Sequence, residues 1–222
     1  VSMGCAVAFA ESVERLAANM LEVRPTVLFA VPRVFNKIHD GVQKRLRDES
    51  PGKRRVFDAA MANARRRREL ATQGRRSARV AALHLVFDRL VFAKVRARFG
   101  GRLRFAFSGG AALSAEVASF MDDLGVTVLE GYGLTETSPI ACANSPTARR
   151  IGSVGRPIED VEVRIDTSAL NDGSGQGEIL IRGPNIMQGY HNLPEETAAV
   201  LGEDGFFRSG DRGYVDDEGF VW

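Results

Sequence analysis

The chain has 222 residues, of which 44% are hydrophobic, so it is long enough to bury a core and is predicted to be globular. Its formal net charge of +2 is too small to indicate nucleic-acid binding by itself. Cys5 and Cys142 show no pairing pattern and no apolar stretch is long enough to span a membrane, so we expect a cytoplasmic protein rather than a secreted or integral membrane one.

The first predicted elements are a short strand over residues 26–30 and a series of helices. Pro32 stands where a helix can begin, and apolar residues then recur at helical spacing as far as Leu46. Two further helical stretches follow, and the Gly100-Gly101 pair ends the second. We therefore predict a helical insert at about residues 33–99.

A strand, a glycine turn, a helix and a second strand come next. Residues 103–107 alternate at strand period, residues 108–112 make the turn, and a helix with an apolar stripe leads to the strand at residues 126–129. This order predicts a βαβ unit, as part of an open α/β sheet with flanking helices. Such a unit brings two loops to the same edge of the sheet, the Gly109-Gly110 turn and residues 131–136.

The pattern changes to β structure in the last third of the chain. Residues 161–165 alternate, a glycine-rich turn follows at residues 171–177, and residues 178–182 return as a strand. Further turn signals between short strands predict a small β-barrel-like subdomain. We therefore predict an α/β nucleotide-binding subdomain over residues 1–145 and a β-rich subdomain over residues 146–222.

The ten residues after the second strand of the βαβ unit carry the strongest functional signal. Gly131 and Gly133 let the backbone approach a ligand closely, and Tyr132 can lie against a flat base. Thr135 can donate to a phosphate oxygen, and Glu136 can hold a magnesium ion. This combination at a strand end predicts a nucleotide site without a protein nucleophile.

Each of these side chains also has an ordinary structural interpretation. Tyr132 alone fits a core aromatic residue, Glu136 a carboxylate at a helix start, and Asp211 a turn residue. Their joint occurrence favours ligand binding over these separate explanations. The three histidines carry no metal-ligand spacing, so no metal is assigned to them.

Four phrases occur in order along the chain: Ser108-Gly-Gly-Ala-Ala-Leu113, Gly131-Tyr-Gly-Leu-Thr-Glu136, Gly183-Pro-Asn-Ile-Met-Gln-Gly-Tyr190 and Phe207-Arg-Ser-Gly-Asp211. Together they resemble the adenylate-forming synthetases, specifically the long-chain fatty acid CoA ligases. The phrase Val31-Pro-Arg-Val-Phe-Asn-Lys-Ile38, followed by the long helical insert, is similar to the long-chain branch in particular. The resemblance extends over essentially the whole chain.

The resemblance implies an ATP-dependent acid–thiol ligase that acts in two steps. A carboxylate attacks the α-phosphate of ATP to give an acyl adenylate and pyrophosphate. The thiol of coenzyme A then displaces AMP to form the thioester. A long-chain fatty acid is the implied substrate, with ATP and AMP, Mg²⁺ and coenzyme A as cofactors or co-substrates.

The resemblance also assigns nucleotide binding to eight residues: Gly109, Gly110, Ala111, Gly131, Tyr132, Gly133, Thr135 and Asp211. Of these, Tyr132 stacks on the adenine that residues 109–111 line, and Asp211 holds both ribose hydroxyls. Thr135 contacts the α-phosphate and Glu136 binds Mg²⁺, so these two are the implied catalytic residues. Physical chemistry supports the assignment, because a carboxylate can accept two hydrogen bonds from a vicinal diol.

Two parts of the family pattern are not found in this sequence. They are the phosphate loop rich in glycine, serine and threonine, and the small C-terminal domain with the lysine used in adenylation. The resemblance therefore implies part of the large N-terminal domain of a longer enzyme. We expect the isolated chain to be catalytically inactive, because pyrophosphate would lose stabilising contacts from both parts.

A basic stretch runs from Lys53 to Arg79 and contains four consecutive arginines at residues 65–68. It fits either a solvated helix face or peripheral contact with an anionic membrane. Aromatic residues do not interleave with it, so no nucleic-acid binding is expected. Two other functions stay open: adenylation of an aryl or amino acid, and a non-catalytic module that binds nucleotide or associates with membranes.

Overall fold

The computed structural model describes residues 4–168 and 173–222. Contacts between Cα atoms divide these residues into two compact units. Unit 1 holds the described residues up to Phe107 together with Glu116–Val128, and unit 2 holds Ser108–Ala115 and the described residues from Leu129 to Trp222. The predicted subdomain boundary at about residue 145 stays a prediction.

Unit 1 is built mainly from helices. They are α1 (Leu16–Val23), α2 (Pro32–Asp48), α3 (Pro51–Thr72), α4 (Ala78–Phe87), α5 (Ala93–Ala97) and α6 (Ala115–Asp123), with a π-helical turn at Asp88–Phe92 between α4 and α5. Pro32 and Pro51 each stand in the first turn of their helix, where the amide hydrogen that proline lacks is not needed. The Ser77 hydroxyl accepts from the Val80 amide (3.4 Å) and caps α4. Helices α2 to α5 lie where the sequence predicts the helical insert.

The strands of unit 1 lie beside one another in chain order. These strands are β1 (Val27–Ala30), β2 (Phe105–Ser108) and the first residues of β3 (Thr127–Tyr132). Helix α6 connects β2 to β3, and a helix between neighbouring strands is the connection that a parallel pair requires. The predicted α/β fold with helices flanking an open sheet is therefore confirmed.

Helix α3 is tied to α6 through a buried carboxylate. Asp123 is 4% exposed, and the Arg68 guanidinium donates both to it and to the Ser119 carbonyl oxygen (2.9 Å). The Nε atom of Arg65 lies 3.6 Å from the second carboxylate oxygen of Asp123. Burial raises the pKa of Asp123 to about 6 in spite of both arginines. Of the four consecutive arginines, Arg65 and Arg68 thus contact Asp123 where α3 packs on α6. Residues 65–68 therefore do not form one continuous basic surface.

Unit 2 contains two antiparallel arrangements of strands. The end of β3 pairs with β4 (Cys142–Ala143), which pairs with β5 (Arg156–Pro157). A second sheet consists, in this order, of β6 (Glu162–Asp166), β7 (Gly177–Arg182) and β8 (Phe207–Gly213), and α7 (Pro194–Val200) precedes β8. The described strands do not close into a barrel, so the β-rich part is an open sheet.

The turn predicted at residues 171–177 falls between β6 and β7. Residues 171–172 lie outside the described part of the chain, while β6 and β7 pair in the register Val163 with Ile181. Because β6 and β7 are antiparallel, this pairing is the hairpin that the sequence predicts.

The core of unit 2 supports the end of β3. Its buried cluster consists of Ala141, Cys142, Ile179, Ile181 and Val221. Tyr132 and Leu134 are partly buried and pack against this cluster. The loop after β3 therefore starts from a fixed, apolar base. Across the described residues of both units, no helix combines the length and the apolar composition that crossing a membrane requires.

Candidate functional site

A cleft of about 540 Å³ opens in unit 2 at the end of β3. Its lining includes the turn after β2, the end of β3 with the loop that follows it, and β8. Eight of the nine predicted site residues lie in this lining: Gly110, Ala111, Gly131, Tyr132, Gly133, Thr135, Glu136 and Asp211. Gly109 is not among the lining residues and immediately precedes them. The structure thus brings the predicted residues together, while their individual roles stay predictions.

The loops around the cleft require glycine at two positions. Gly110 has a φ of +82°, in the left-handed region that residues with a side chain rarely adopt. A Cβ atom at Gly133 would lie 2.1 Å from the Pro139 carbonyl oxygen and 2.8 Å from Thr137 Oγ1. The loop after β3 therefore folds back on itself. Thr137 fixes this fold, because its buried hydroxyl oxygen accepts from the Leu134 amide (2.9 Å).

A hydrogen bond joins Tyr132 to Asp211. The Tyr132 hydroxyl donates to Asp211 Oδ2 at 2.7 Å, although 79 residues separate the two along the chain. Ser209 supports Asp211, since its hydroxyl accepts from the Asp211 amide (3.1 Å) and donates to the Ile179 carbonyl oxygen (2.7 Å). Burial raises the pKa of Tyr132 far above its usual value, and the Asp211 carboxylate adds to the rise. The phenol is therefore a neutral donor at physiological pH.

Asp211 keeps the capacity to bind a ligand. The residue is exposed, and an ionised carboxylate offers about four acceptor positions. One of these accepts the Tyr132 hydroxyl. The others suit a pair of neighbouring hydroxyl groups, such as those of a ribose.

Glu136 is held by the segment Gly183–Tyr190, which we call the 183–190 segment. The Tyr190 hydroxyl donates to Glu136 Oε1 (2.9 Å), and this hydrogen bond raises the pKa of Tyr190. The Met187 amide donates to the Glu136 carbonyl oxygen (2.8 Å). Both the side chain and the backbone of Glu136 are thus fixed from a distant part of the chain.

Glu130 is a third carboxylate in the cleft lining, besides Glu136 and Asp211, and the sequence predicted no role for it. It is 7% exposed and accepts hydrogen bonds from the amides of Gly152 (3.4 Å) and Leu113. Burial raises its pKa despite these donors. The available signal was an acidic residue directly after the apolar run at residues 126–129. Tyr190 was also missed, although it ends one of the four quoted phrases.

The side chains that could bind a metal ion fit magnesium better than a metal that takes all its ligands from the protein. In the described ranges, 4–168 and 173–222, no three His, Cys, Asp or Glu side chains are grouped so that they could hold a metal ion. Among the described residues, Glu136 therefore lines the cleft without two further side chains of these types close enough to share an ion with it. Mg²⁺ commonly uses one or two carboxylates and takes its other ligands from water and phosphate oxygens. A lone, half-buried Glu136 fits that pattern.

Comparisons with known proteins agree with a nucleotide site. Residues 1–191 match the protein family described as "AMP-binding enzyme". The "Long-chain-fatty-acid--CoA ligase FadD15" of Mycobacterium bovis is 36% identical over 215 residues, covering 97% of this chain and 34% of that protein. The "Long chain acyl-CoA synthetase 7, peroxisomal" of Arabidopsis thaliana is 34% identical over 218 residues, covering 95% and 30%. The chain thus spans about a third of the length of these curated relatives.

The fold of this chain is also similar to that of a solved structure. ATP-bound MatB from Rhodopseudomonas palustris is 27% identical to this chain, with a TM-score of 0.60. The match covers 95% of this chain and 32% of the MatB chain.

Proposed function

The chain belongs to the AMP-binding enzyme family, and from this membership we propose that it is a segment of an ATP-dependent long-chain fatty acid CoA ligase. In the proposed reaction, the acid's carboxylate attacks the α-phosphate of ATP and pyrophosphate leaves. The thiol of coenzyme A then attacks the acyl carbon and AMP leaves. Two relatives named for long-chain acids, at 36% and 34% identity, support this acid class.

The observation that carries the proposal is the hydrogen-bonded pair of Tyr132 and Asp211 in one cleft. The ring of Tyr132 would stack on adenine, for which Gly109, Gly110 and Ala111 would form the opposite wall. The Asp211 carboxylate, 2.7 Å from the Tyr132 hydroxyl oxygen, would accept the ribose hydroxyls. This hydrogen bond holds the ring and the carboxylate next to each other, which suits a nucleoside, in which base and sugar are directly bonded.

We assign the phosphate side of the cleft to Thr135 and Glu136. The exposed Thr135 hydroxyl would donate to the α-phosphate, and Glu136 would hold Mg²⁺. Magnesium, when bound, neutralises phosphate charge. The nucleophiles are the acid and coenzyme A, so these residues act by orienting groups and by neutralising charge.

The test is pyrophosphate release by a full-length protein that contains this segment, measured with acids from acetate to palmitate. We expect a preference for acids of about twelve or more carbons, since each buried methylene contributes up to about 0.8 kcal/mol. A preference for acetate, benzoate or an amino acid would replace the long-chain assignment with another adenylation reaction. Nucleotide binding without pyrophosphate release from any acid would indicate a non-catalytic module. The 222-residue chain by itself is expected to form no acyl-CoA.

A second proposal concerns the surface that α3 and α4 form in unit 1, which we call the α3–α4 surface. Its exposed cations include Arg66 and Arg67, and its exposed aliphatic residues include Leu83, Leu85 and Val86. Burial of His84 in α4 lowers the pKa of this residue, and the positive charge of Arg67 lowers it further. Arg67 of α3 therefore lies close to α4. Cations and aliphatic side chains therefore occur on neighbouring parts of one surface.

We propose that the α3–α4 surface makes peripheral contact with an anionic membrane. Arginines attract acidic headgroups, and exposed aliphatic side chains enter the interface between headgroups and acyl chains. The variant Leu85→Ser combined with Val86→Ser should reduce sedimentation with vesicles that contain phosphatidylglycerol. Leu193→Ser, which changes an exposed leucine in unit 2, is the control. Equal binding to purely phosphatidylcholine vesicles, or no binding to the anionic ones, would refute this contact.

A further inference from the structure

We propose that the 183–190 segment positions Glu136 for its metal ion, with Tyr190 as the residue that orients the carboxylate. This inference rests on the proposed function, in which Glu136 holds Mg²⁺. It gives a role to Tyr190, whose contact with Glu136 has no purpose in adenine or ribose binding.

Four hydrogen bonds connect the 183–190 segment to the loop after β3. Tyr190 Oη donates to Glu136 Oε1 (2.9 Å), and the Met187 amide donates to the Glu136 carbonyl oxygen (2.8 Å). The side-chain amide of Asn185 donates to the carbonyl oxygens of Thr137 (2.9 Å) and Ile140 (2.8 Å). The contacts therefore fix the backbone at Glu136 and in the residues after it, as well as the Glu136 carboxylate.

The 183–190 segment is itself anchored by helix α7. The Tyr190 amide donates to Thr197 Oγ1 (2.9 Å), and the Thr197 hydroxyl donates to the Leu193 carbonyl oxygen (2.7 Å). Gly189 has a φ of +149°, and a Cβ atom there would lie 2.8 Å from Thr197 Cγ2. Glycine thus allows the chain to pass close to Thr197. A continuous set of contacts leads from α7 through Tyr190 to Glu136.

This arrangement suits an ion with strict geometry. Mg²⁺ requires near-octahedral coordination at about 2.0–2.1 Å, so a single carboxylate must point in one direction to bind it well. The Tyr190 hydroxyl, by donating to Oε1, restricts rotation of the Glu136 carboxylate, and this would leave Oε2 available to bind the ion. Hydrogen bonds of this kind behind a metal ligand typically change metal affinity by about 10- to 100-fold.

The test measures metal affinity directly, in a full-length protein that contains this segment. Mn²⁺ binding in the presence of a non-hydrolysable ATP analogue is followed by electron paramagnetic resonance for Tyr190→Phe and Tyr214→Phe. Tyr214 packs flat on Trp222, with 6.0 Å between ring centroids, so Tyr214→Phe is the matched loss of a hydroxyl elsewhere in unit 2. We expect Tyr190→Phe to weaken Mn²⁺ binding about tenfold and Tyr214→Phe to leave it unchanged.

Two further measurements separate positioning from damage to the fold. Tyr190→Phe should bind AMP without metal as the parent does, and its pyrophosphate release should recover at high Mg²⁺ concentration. A rate that stays low at every Mg²⁺ concentration would indicate a structural role and overturn the proposal.

Glu136→Gln distinguishes failure of this inference from failure of the proposed function. If Glu136→Gln weakens Mn²⁺ binding and Tyr190→Phe leaves it within twofold, the positioning role is refuted while Glu136 remains the metal ligand. If Glu136→Gln leaves Mn²⁺ binding unchanged, the metal assignment itself is wrong, and the positioning role is refuted with it.

Discussion

The Tyr132 hydroxyl donates a hydrogen bond of 2.7 Å to Asp211, which joins the end of β3 to β8. Each side chain therefore limits the positions that the other can adopt. If base and ribose occupy this cleft, their two binding residues do not act independently.

The first prediction is a coupling between Tyr132 and Asp211 in AMP binding. Tyr132→Phe keeps the aromatic ring and removes the donor, so we expect a smaller loss of affinity than for Tyr132→Ala. In a double-mutant cycle with Asp211→Ala, which removes the acceptor, the two changes should be non-additive by about two- to tenfold in Kd. Calorimetric titration with AMP measures the cycle, and strictly additive losses would show that the hydrogen bond has no part in nucleotide binding.

The second prediction separates ground-state binding from catalysis. Tyr132→Ala and Asp211→Ala should mainly weaken ATP binding, because each removes contacts that exist before the reaction begins. Glu136→Ala should lower the rate of adenylation more than it lowers ATP affinity, since charge on the phosphates is redistributed in the transition state. Pyrophosphate release at varied ATP concentration gives both quantities. Equal losses of turnover with unchanged affinity in all three variants would contradict these roles.

The third prediction concerns Gly133. A Cβ atom there would lie 2.1 Å from a backbone oxygen that cannot easily move, so Gly133→Ala should destabilise the loop by about 1–3 kcal/mol and weaken nucleotide binding. The control is Gly41→Ala in α2, where a Cβ atom would meet no atom within 4 Å. That change should stabilise the helix by about 0.5–1 kcal/mol and leave binding unchanged. Urea unfolding and AMP titration test both variants, and an unaffected Gly133→Ala would mean that the loop adopts another conformation.

The fourth prediction is a pH-dependent stability that comes from Asp123. Its pKa is about 6 in the folded chain, against an ordinary value of 3.8. Between these values the folded chain binds more protons than the unfolded chain, so the free energy of unfolding falls as the pH rises. Protonation of Asp123 contributes at most about 3 kcal/mol to the free energy of unfolding. This contribution is complete below a pH of about 4 and is lost above a pH of about 6.

Asp123→Asn tests this fourth prediction. The quantity to compare is the slope of the free energy of unfolding against pH, not the absolute stability. The variant leaves Arg68 with a neutral partner, so its overall stability also changes. Urea unfolding at several pH values from about 4 to about 7 should show a flatter dependence than in the parent. Asp217→Asn, at an exposed position near the chain end, should keep the parental slope. An unchanged slope in Asp123→Asn would place the titrating group elsewhere.

The amino-acid sequence by itself determined the elements that depend on local chemistry. The strand predicted at residues 26–30 corresponds to β1 (Val27–Ala30), and the βαβ order around α6 is present. Seven of the nine predicted site residues line one cleft from the turn after β2, the end of β3 and the loop that follows, because glycine turns and strand ends place them at one edge of the sheet. Hydrophobic periodicity, helix caps and turn residues each depend on only a few neighbouring positions. They therefore predict helices, strands and turns without tertiary information.

Only the tertiary structure decided which distant residues meet. Tyr190 lies 54 residues along the chain from Glu136, and Tyr132 lies 79 residues from Asp211. Sequence periodicity does not predict contacts across such separations. The four consecutive arginines looked equivalent, yet Arg68 faces the buried Asp123 through the packing of α3 on α6. The described strands of the β-rich part form no closed barrel, since closure depends on strand number and stagger, which turn residues do not encode. Contacts of this kind depend on packing, and packing is decided by the whole chain at once.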